Sequence, residues 1–235
     1  MSAGPQAPVE TAWGRSRPLT DLGLTMPVFV GYHLGVVFLP VRNAADIVTQ
    51  ELVALASQNL FYYGGLTLAV ATVFVGVLLI LGRGEALRWQ RFVSLAAEGV
   101  VYAVAMRLIA GYVIGKLALA APAGVDSRFA GAVMALGAGF YEEVAFRVGL
   151  FGLGARLADL VFPGQRLIVH LGWSLVAAAL FSGWHHFGAL GDPFDLKVFV
   201  FRWVCGVVFT VIYVFRGFAP AVWTHTLYDL WVLLS

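Results

Sequence analysis

The chain has 235 residues, of which 60% are hydrophobic and only 12% charged, against about 25% charged in ordinary soluble domains. That excludes a single-core soluble fold, because several apolar stretches reach the roughly 18 residues that cross a bilayer core of about 30 Å as a helix. The formal net charge of +2 comes from scattered arginines, so there is no basic stripe to receive nucleic acid.

Residues 1–25 are rich in Pro, Gly and Ala and carry Arg15 and Arg17 without a long apolar core. They read as a disordered N-terminal tail rather than a cleavable signal peptide. Apolar runs then predict helices over 26–41, 60–81, 92–121, 129 through the 150s, 167–187, 198–215 and 219–235. The polar stretch 42–59, with Asp46 and Glu51, reads as an interfacial segment. The run from Phe129 is too long for one straight crossing. Gly149, Gly152 and Gly154 offer places to bend before Pro163-Gly164 ends it, predicting two helical pieces. The expectation is an all-α polytopic membrane protein with about seven or eight transmembrane helices around a polar cavity, residues 26–235 forming one membrane domain.

Arg83, Arg88 and Arg91 place the loop 82–91 inside by the excess of basic residues in cytoplasmic loops, which makes the N-terminus cytoplasmic. Cys205, the single cysteine, lies in an apolar run, leaving no intrachain disulfide and no thiolate metal cluster.

Three groups of ionisable residues interrupt the apolar runs. In Phe140-Tyr141-Glu142-Glu143-Val144-Ala145-Phe146-Arg147, each charge near a helix centre costs about 2.5 to 3.5 kcal/mol on insertion scales, while each large apolar residue returns only about 0.3 to 0.6. Glu143 and Arg147 stand four apart with the acid first, the order in which a helical ion pair forms best. Glu142 projects about 100° round the helix from Glu143, free to face a polar cavity as a general base. The plain alternative is a polar cluster that staples helices together and does no chemistry. In Phe181-Ser182-Gly183-Trp184-His185-His186, Phe181 and His185 share a face, but spacing alone does not separate His185 from His186. In the last run His225 and Asp229 share a face, suited to an oxyanion, to a metal, or to a local hydrogen bond.

In this order, Glu142-Glu143-x-x-x-Arg147, Phe181-x-x-x-His185 and His225-x-x-x-Asp229 resemble the EExxxR, FxxxH and HxxxN/D motifs of the CAAX-protease and bacteriocin-processing family, whose bacterial branch is also called Abi. The resemblance covers residues 129–235. It implies an intramembrane endopeptidase acting on a membrane-associated protein or peptide. Glu142 would activate water, His185 would hold that water, and His225 with Asp229 would stabilise the oxyanion. Eukaryotic CAAX-processing members carry Asn where this chain has Asp229, and an ionised Asp cannot donate a hydrogen bond as Asn can. Asp229 would therefore act protonated or orient His225. Arg147 would hold Glu143 and so set the face that carries Glu142.

Glu142, His185 and His225 are also plausible ligands of a catalytic zinc ion. The chain lacks HExxH, however, and the resemblance implies a metal-independent enzyme, so no cofactor is expected and zinc is the disfavoured reading. Competing functions are a non-catalytic scaffold or self-immunity protein on the same fold, and a proton-relaying transporter, for which symmetric halves are missing. Thirteen Arg against two Lys suggest a GC-rich bacterial genome and hence a bacterial inner membrane, where a prenylated substrate is less expected than a peptide precursor or surface-sorted protein.

One difficulty attends this reading. The topology puts His185 near the outer end of its span and His225 nearer the inner end of its own, calling for a re-entrant segment or shifted boundaries. Glu98, Arg107 and Lys116 recur every nine residues, so successive members face opposite sides, and they are expected to snorkel or pair between helices. Arg202 is expected to snorkel from a span end. His33 and His170 lack a polar partner at helical spacing and read as structural. The many glycines and alanines suit close helix packing.

Overall fold

The computed structural model describes residues 18–39, 45, 59–81, 88–114, 128–187 and 191–234. These form α1 (Pro18–Leu24), α2 (Met26–Val36), α3 (Leu60–Leu81), α4 (Trp89–Ile114) and α5 (Arg128–Gly137). Two π-helical stretches follow, π1 (Ala138–Glu142) and π2 (Val144–Leu153), and then α6 (Gly154–Val161), α7 (Arg166–Trp184), α8 (Leu196–Arg216) and α9 (Phe218–Leu234). Among the described residues the fold is all-helical. Three helices there, Trp89–Val113, Arg166–Trp184 and Leu196–Arg216, are long and apolar enough to cross a membrane. Large apolar side chains stand on their outer surfaces, Leu108, Leu167, Ile168 and Val211 among them, the arrangement of helices whose solvent is lipid.

The helices follow the apolar runs closely. Of the expected interfacial segment 42–59 only residues 45 and 59 are described, and Asn59 Oδ1 accepts the backbone N–H of Phe61 at 2.9 Å and caps α3. Of the expected disordered tail, residues 1–17 lie outside the described set, but Pro18–Leu24 are helical. The reason is burial. Leu24 packs with Leu95 and Ala219, and the Asp21 carboxylate accepts the backbone N–H of Phe218 at the start of α9, where a negative charge suits the helix N-terminus.

The run from Phe129 does change its winding, first ahead of the three glycines and again at Gly154, one of them. Regular α winding gives way at Ala138 and resumes at Gly154. Gly154 also has a packing role: a Cβ there would run into the Trp173 indole, which donates to the Leu150 carbonyl at 2.9 Å. Gly164, at φ 85°, makes the turn after Pro163.

α9 packs against α4, α5, π1 and α8, which puts its one polar face at the centre of the molecule. Small residues bring the helices close. A Cβ on Gly139 would collide with the Thr226 hydroxyl, one on Gly99 would come within 3.0 Å of Leu227, and one on Gly206 would meet Ala178 at 3.1 Å. α7 and α8 lie antiparallel, tied by Ser182 Oγ donating to the Phe199 carbonyl at 2.6 Å and Trp203 Nε1 to the Leu175 carbonyl at 3.0 Å.

Several ionisable residues outside the motifs find partners. Glu98 on α4 takes Arg216 of α8 in a two-pronged pair, 2.6 and 2.9 Å, the helix-to-helix pairing expected of it. The Arg107 guanidinium lies over the Trp231 ring at 4.7 Å, and Lys116 lies outside the described residues. Arg202, near the start of α8, meets Asp192 through its Nη2 at 2.6 Å. His170 bonds Asp159 at 3.0 Å, and His33 shares a 2.7 Å hydrogen bond with the Tyr141 hydroxyl. Helical spacing hid both partners because neither lies on the histidine's own helix.

Candidate active site

Glu142 closes π1, Glu143 joins it to π2, and Arg147 follows one turn later. Glu142 is 6% exposed, Glu143 0% and Arg147 1%, so these charges are held by protein. Glu143 Oε2 lies 3.1 Å from Arg147 Nε, the pairing expected from their spacing. The guanidinium is also enclosed by two rings, with Phe181 at 4.3 Å and Phe209 at 5.0 Å from its carbon. α7 and α8 thus each bring one ring to the cation, the two rings standing edge to face with centroids 6.4 Å apart rather than on opposite sides of it.

Phe181 of the FxxxH motif therefore serves the arginine as well as the histidine. Its ring stands edge-on to His185 at 5.0 Å. His185 caps the C-terminus of α7, and its Nδ1 lies 2.9 Å from the Phe181 carbonyl. A carbonyl can only accept, so Nδ1 carries the proton and donates. That leaves Nε2 as the free nitrogen, 3.5 Å from Glu142 Oε2. His186 goes elsewhere: its Nδ1 donates to the Asp192 carbonyl at 3.2 Å, and its ring lies 5.2 Å from that of Phe194. The structure thus separates the two histidines that spacing could not.

His225, on α9, donates from Nδ1 to Glu143 Oε1 at 2.7 Å. Its Nε2 turns toward Glu142 Oε2 at 3.9 Å and Asp229 Oδ2 at 3.4 Å. Phe209 stacks on its ring, centroids 4.5 Å apart and planes 19° from parallel. Glu142, Glu143, Arg147, His185, His225 and Asp229 are all brought together, from three helical segments. The depth mismatch expected between His185 and His225 is absent, because Phe181, in the last turn of α7, brings its ring to 6.0 Å from that of His225, the eighth of the 17 residues of α9.

Exposure grades across the cluster. Side chains of His185 and Asp229 are 24% and 25% exposed, against 7% for Glu142 and 5% for His225. The open side is therefore bounded by the end of α7 and the fourth turn of α9. The arrangement offers a carboxylate and an unprotonated histidine nitrogen on one small space, with a second histidine, anchored by a carboxylate, facing it. Among the described residues no group of three or more His, Cys, Asp or Glu is set to hold a metal ion.

Sequence reasoning missed Phe209 and the contact between Glu143 and His225. Phe209 sits in an apolar run and belongs to no spacing pattern. The second contact joins residues 82 positions apart, beyond any local signal.

Residues 124–231 match the family model described as Rce1-like, type II CAAX prenyl endopeptidase Rce1-like. No curated protein and no solved structure matches the chain. The matched range contains every residue of the cluster, and helices able to span a bilayer together with a protease family fit an integral membrane protein. The match over residues 124–231 agrees with the family that the three motifs resemble, the CAAX-protease and bacteriocin-processing proteins.

Proposed function

We propose that this protein is an intramembrane endopeptidase that uses Glu142 to activate water. The observation that carries this reading is the convergence of His185 Nε2 and His225 Nε2 on Glu142 Oε2, at 3.5 and 3.9 Å. A water in that space donates one hydrogen to Glu142 and one to His185 Nε2, leaving a lone pair for attack. Glu142 takes the proton as the C–O bond forms. His225 in its imidazolium form gives its Nδ1 proton to Glu143 in a hydrogen bond and presents its Nε2 proton to the developing oxyanion. Such preorganised donation is worth about 2.7 to 4 kcal/mol where single oxyanion donors have been removed. Asp229 neutralises that imidazolium. The C–N bond then breaks as Glu142 returns its proton to the leaving amine, restoring the carboxylate.

The domain we assign to this activity is residues 26–235, with about seven or eight crossings around a polar cavity, an N-terminus on the cytoplasmic face and no resident cofactor. The helices over the expected apolar runs support that count, and the arginines of loop 82–91 support the orientation. The arginine-rich composition favours a bacterial inner membrane. The substrate is a membrane-associated protein or peptide.

The test is cleavage of quenched-fluorescent, membrane-anchored peptides in liposomes, a farnesylated CAAX peptide among them, by wild type, Glu142→Gln and His225→Ala, with and without chelator. Cleavage lost in both variants and kept in chelator is the expected result. Loss in chelator points to zinc on the same residues, and cleavage by Glu142→Gln at the wild-type rate overturns the reading.

A further inference from the structure

We infer that His33, on a helix outside the matched range, is a positioning residue for Glu142, and that α2 is thereby part of the active site's support. This rests on the reading of Glu142 as the general base. α2 lies along α5 in a seam with almost no room to spare. A Cβ on Gly35 would collide with Val133, one on Gly31 would come within 3.1 Å of Leu136, and one on Gly137 would collide with Tyr32. Glycines on both helices thus let the backbones approach and fix their register.

At the end of this seam the winding changes to π1, whose turn is closed by i→i+5 bonds, a form found mostly as short insertions at functional sites. The hydroxyl of Tyr141, one residue before Glu142, is held there by His33 Nε2 at 2.7 Å. Both residues are buried, at 4% and 6% exposure. The His33 ring is itself fixed between Phe29 at 4.3 Å and Tyr32 at 5.4 Å. Tyr32 in turn packs on Tyr141 at 5.5 Å. An apolar pair would fill this position equally well for packing. A polar bond in this closely packed seam fixes direction as well as contact, because it has a preferred geometry and its loss leaves a buried group unsatisfied. The direction it fixes is that of the turn carrying Glu142, whose oxygen must meet two histidines from other helices.

The test uses full-length protein and two readouts. In the first, His33→Ala and Tyr141→Phe are compared with wild type for peptide cleavage. A drop in kcat of about tenfold to a hundredfold with KM little changed is expected, since small misplacements at a reacting group have effects of that size. His33→Gln, which keeps a hydrogen-bonding side chain, restores part of the rate. In the second, labelling of Glu142 by the membrane-soluble reagent dicyclohexylcarbodiimide is followed by mass spectrometry, which needs no substrate. His33→Ala and Tyr141→Phe change the labelling rate severalfold, whereas Val133→Ala, which loosens the same seam, lowers Tm and leaves labelling alone. Should His33→Ala not be recovered folded, Tyr141→Phe removes a single oxygen and carries the test. Wild-type kcat and labelling in Tyr141→Phe overturn the inference while leaving Glu142 its role. Full cleavage by Glu142→Gln instead overturns the functional reading itself.

Discussion

Glu143 receives the Nδ1–H of His225 on one oxygen at 2.7 Å and faces Arg147 with the other at 3.1 Å. One carboxylate therefore holds a buried cation in place and anchors the ring that faces Glu142. Removing either partner of a buried ion pair typically costs about 3 to 5 kcal/mol, because a charge is left without compensation. Glu143→Ala should lower stability by about that amount, and Arg147→Ala likewise. The double variant should fall short of their sum by about 1 to 3 kcal/mol. Thermal unfolding in detergent gives all three numbers, and strict additivity would show that the pair contributes no coupling.

Phe209 supplies the second arm of the same support. Its ring stacks on His225 and lies against the Arg147 guanidinium, while the Nη atoms of Arg147 make no hydrogen bond among the described residues. Phe209→Leu keeps an apolar side chain and removes the π face, so it should cost about 2 kcal/mol of stability, the scale of a desolvated cation–π contact. If His225 is the oxyanion donor, kcat should fall more than KM rises. An unchanged kcat in peptide cleavage would mean that the stack does not position the ring.

Glycine substitutions test the packing that brings π1 to α9. A Cβ on Gly139 would collide with the Thr226 hydroxyl, whereas nothing lies within 4 Å of one on Gly172. Gly139→Ala should destabilise by about 1 to 3 kcal/mol through overpacking and abolish cleavage by pushing Glu142 away from His225. Gly172→Ala, in the interior of α7, should raise stability by about 0.5 to 1 kcal/mol, since alanine loses less backbone freedom in a helix. Equal effects at the two positions would contradict the close approach.

Asp229 stands 3.4 Å from His225 Nε2 on the open side of the cluster. If its place is to complement the donor side of the oxyanion site, Asp229→Asn should retain cleavage within about tenfold of wild type, because an amide can accept from the imidazole or donate to the oxyanion. Asp229→Leu can do neither and should be inactive. An inactive Asp229→Asn protein that remains folded would show that the charge itself is needed.

Much of this was legible in the chain because it depends on local spacing. Apolar runs place the described helices to within a few residues at most ends, and the four-residue step from Glu143 to Arg147 gives their ion pair. The step from Phe181 to His185 gives a shared face, though not the cation–π contact that Phe181 makes with Arg147. What stayed hidden depends on how helices meet. The depth conflict between His185 and His225 arose from treating each span as a full crossing in register with its neighbours, whereas the last turn of α7 brings Phe181 to His225 near the middle of α9. The π winding at Ala138 has no signature in apolar periodicity, and the closeness of Gly139 to Thr226 emerges only once both helices are in place.

The two adjacent histidines at the end of α7 give the sharpest separation. His185 Nδ1–H donates to the Phe181 carbonyl, which aims Nε2 at Glu142. His186 is turned to the Asp192 carbonyl and packs against Phe194 and Phe199. A general-base site that loses the partner of its water should lose about a hundredfold to ten-thousandfold in rate, so His185→Ala should fall by that factor. His186→Ala removes one hydrogen bond and some packing, costing about 1 to 2 kcal/mol of stability while cleavage proceeds. Measuring both variants for Tm and cleavage under the same conditions keeps folding and chemistry apart. The reverse pattern, with His186→Ala inactive at wild-type Tm and His185→Ala active, would move the water-holding role to the other ring and with it the assigned open side of the site.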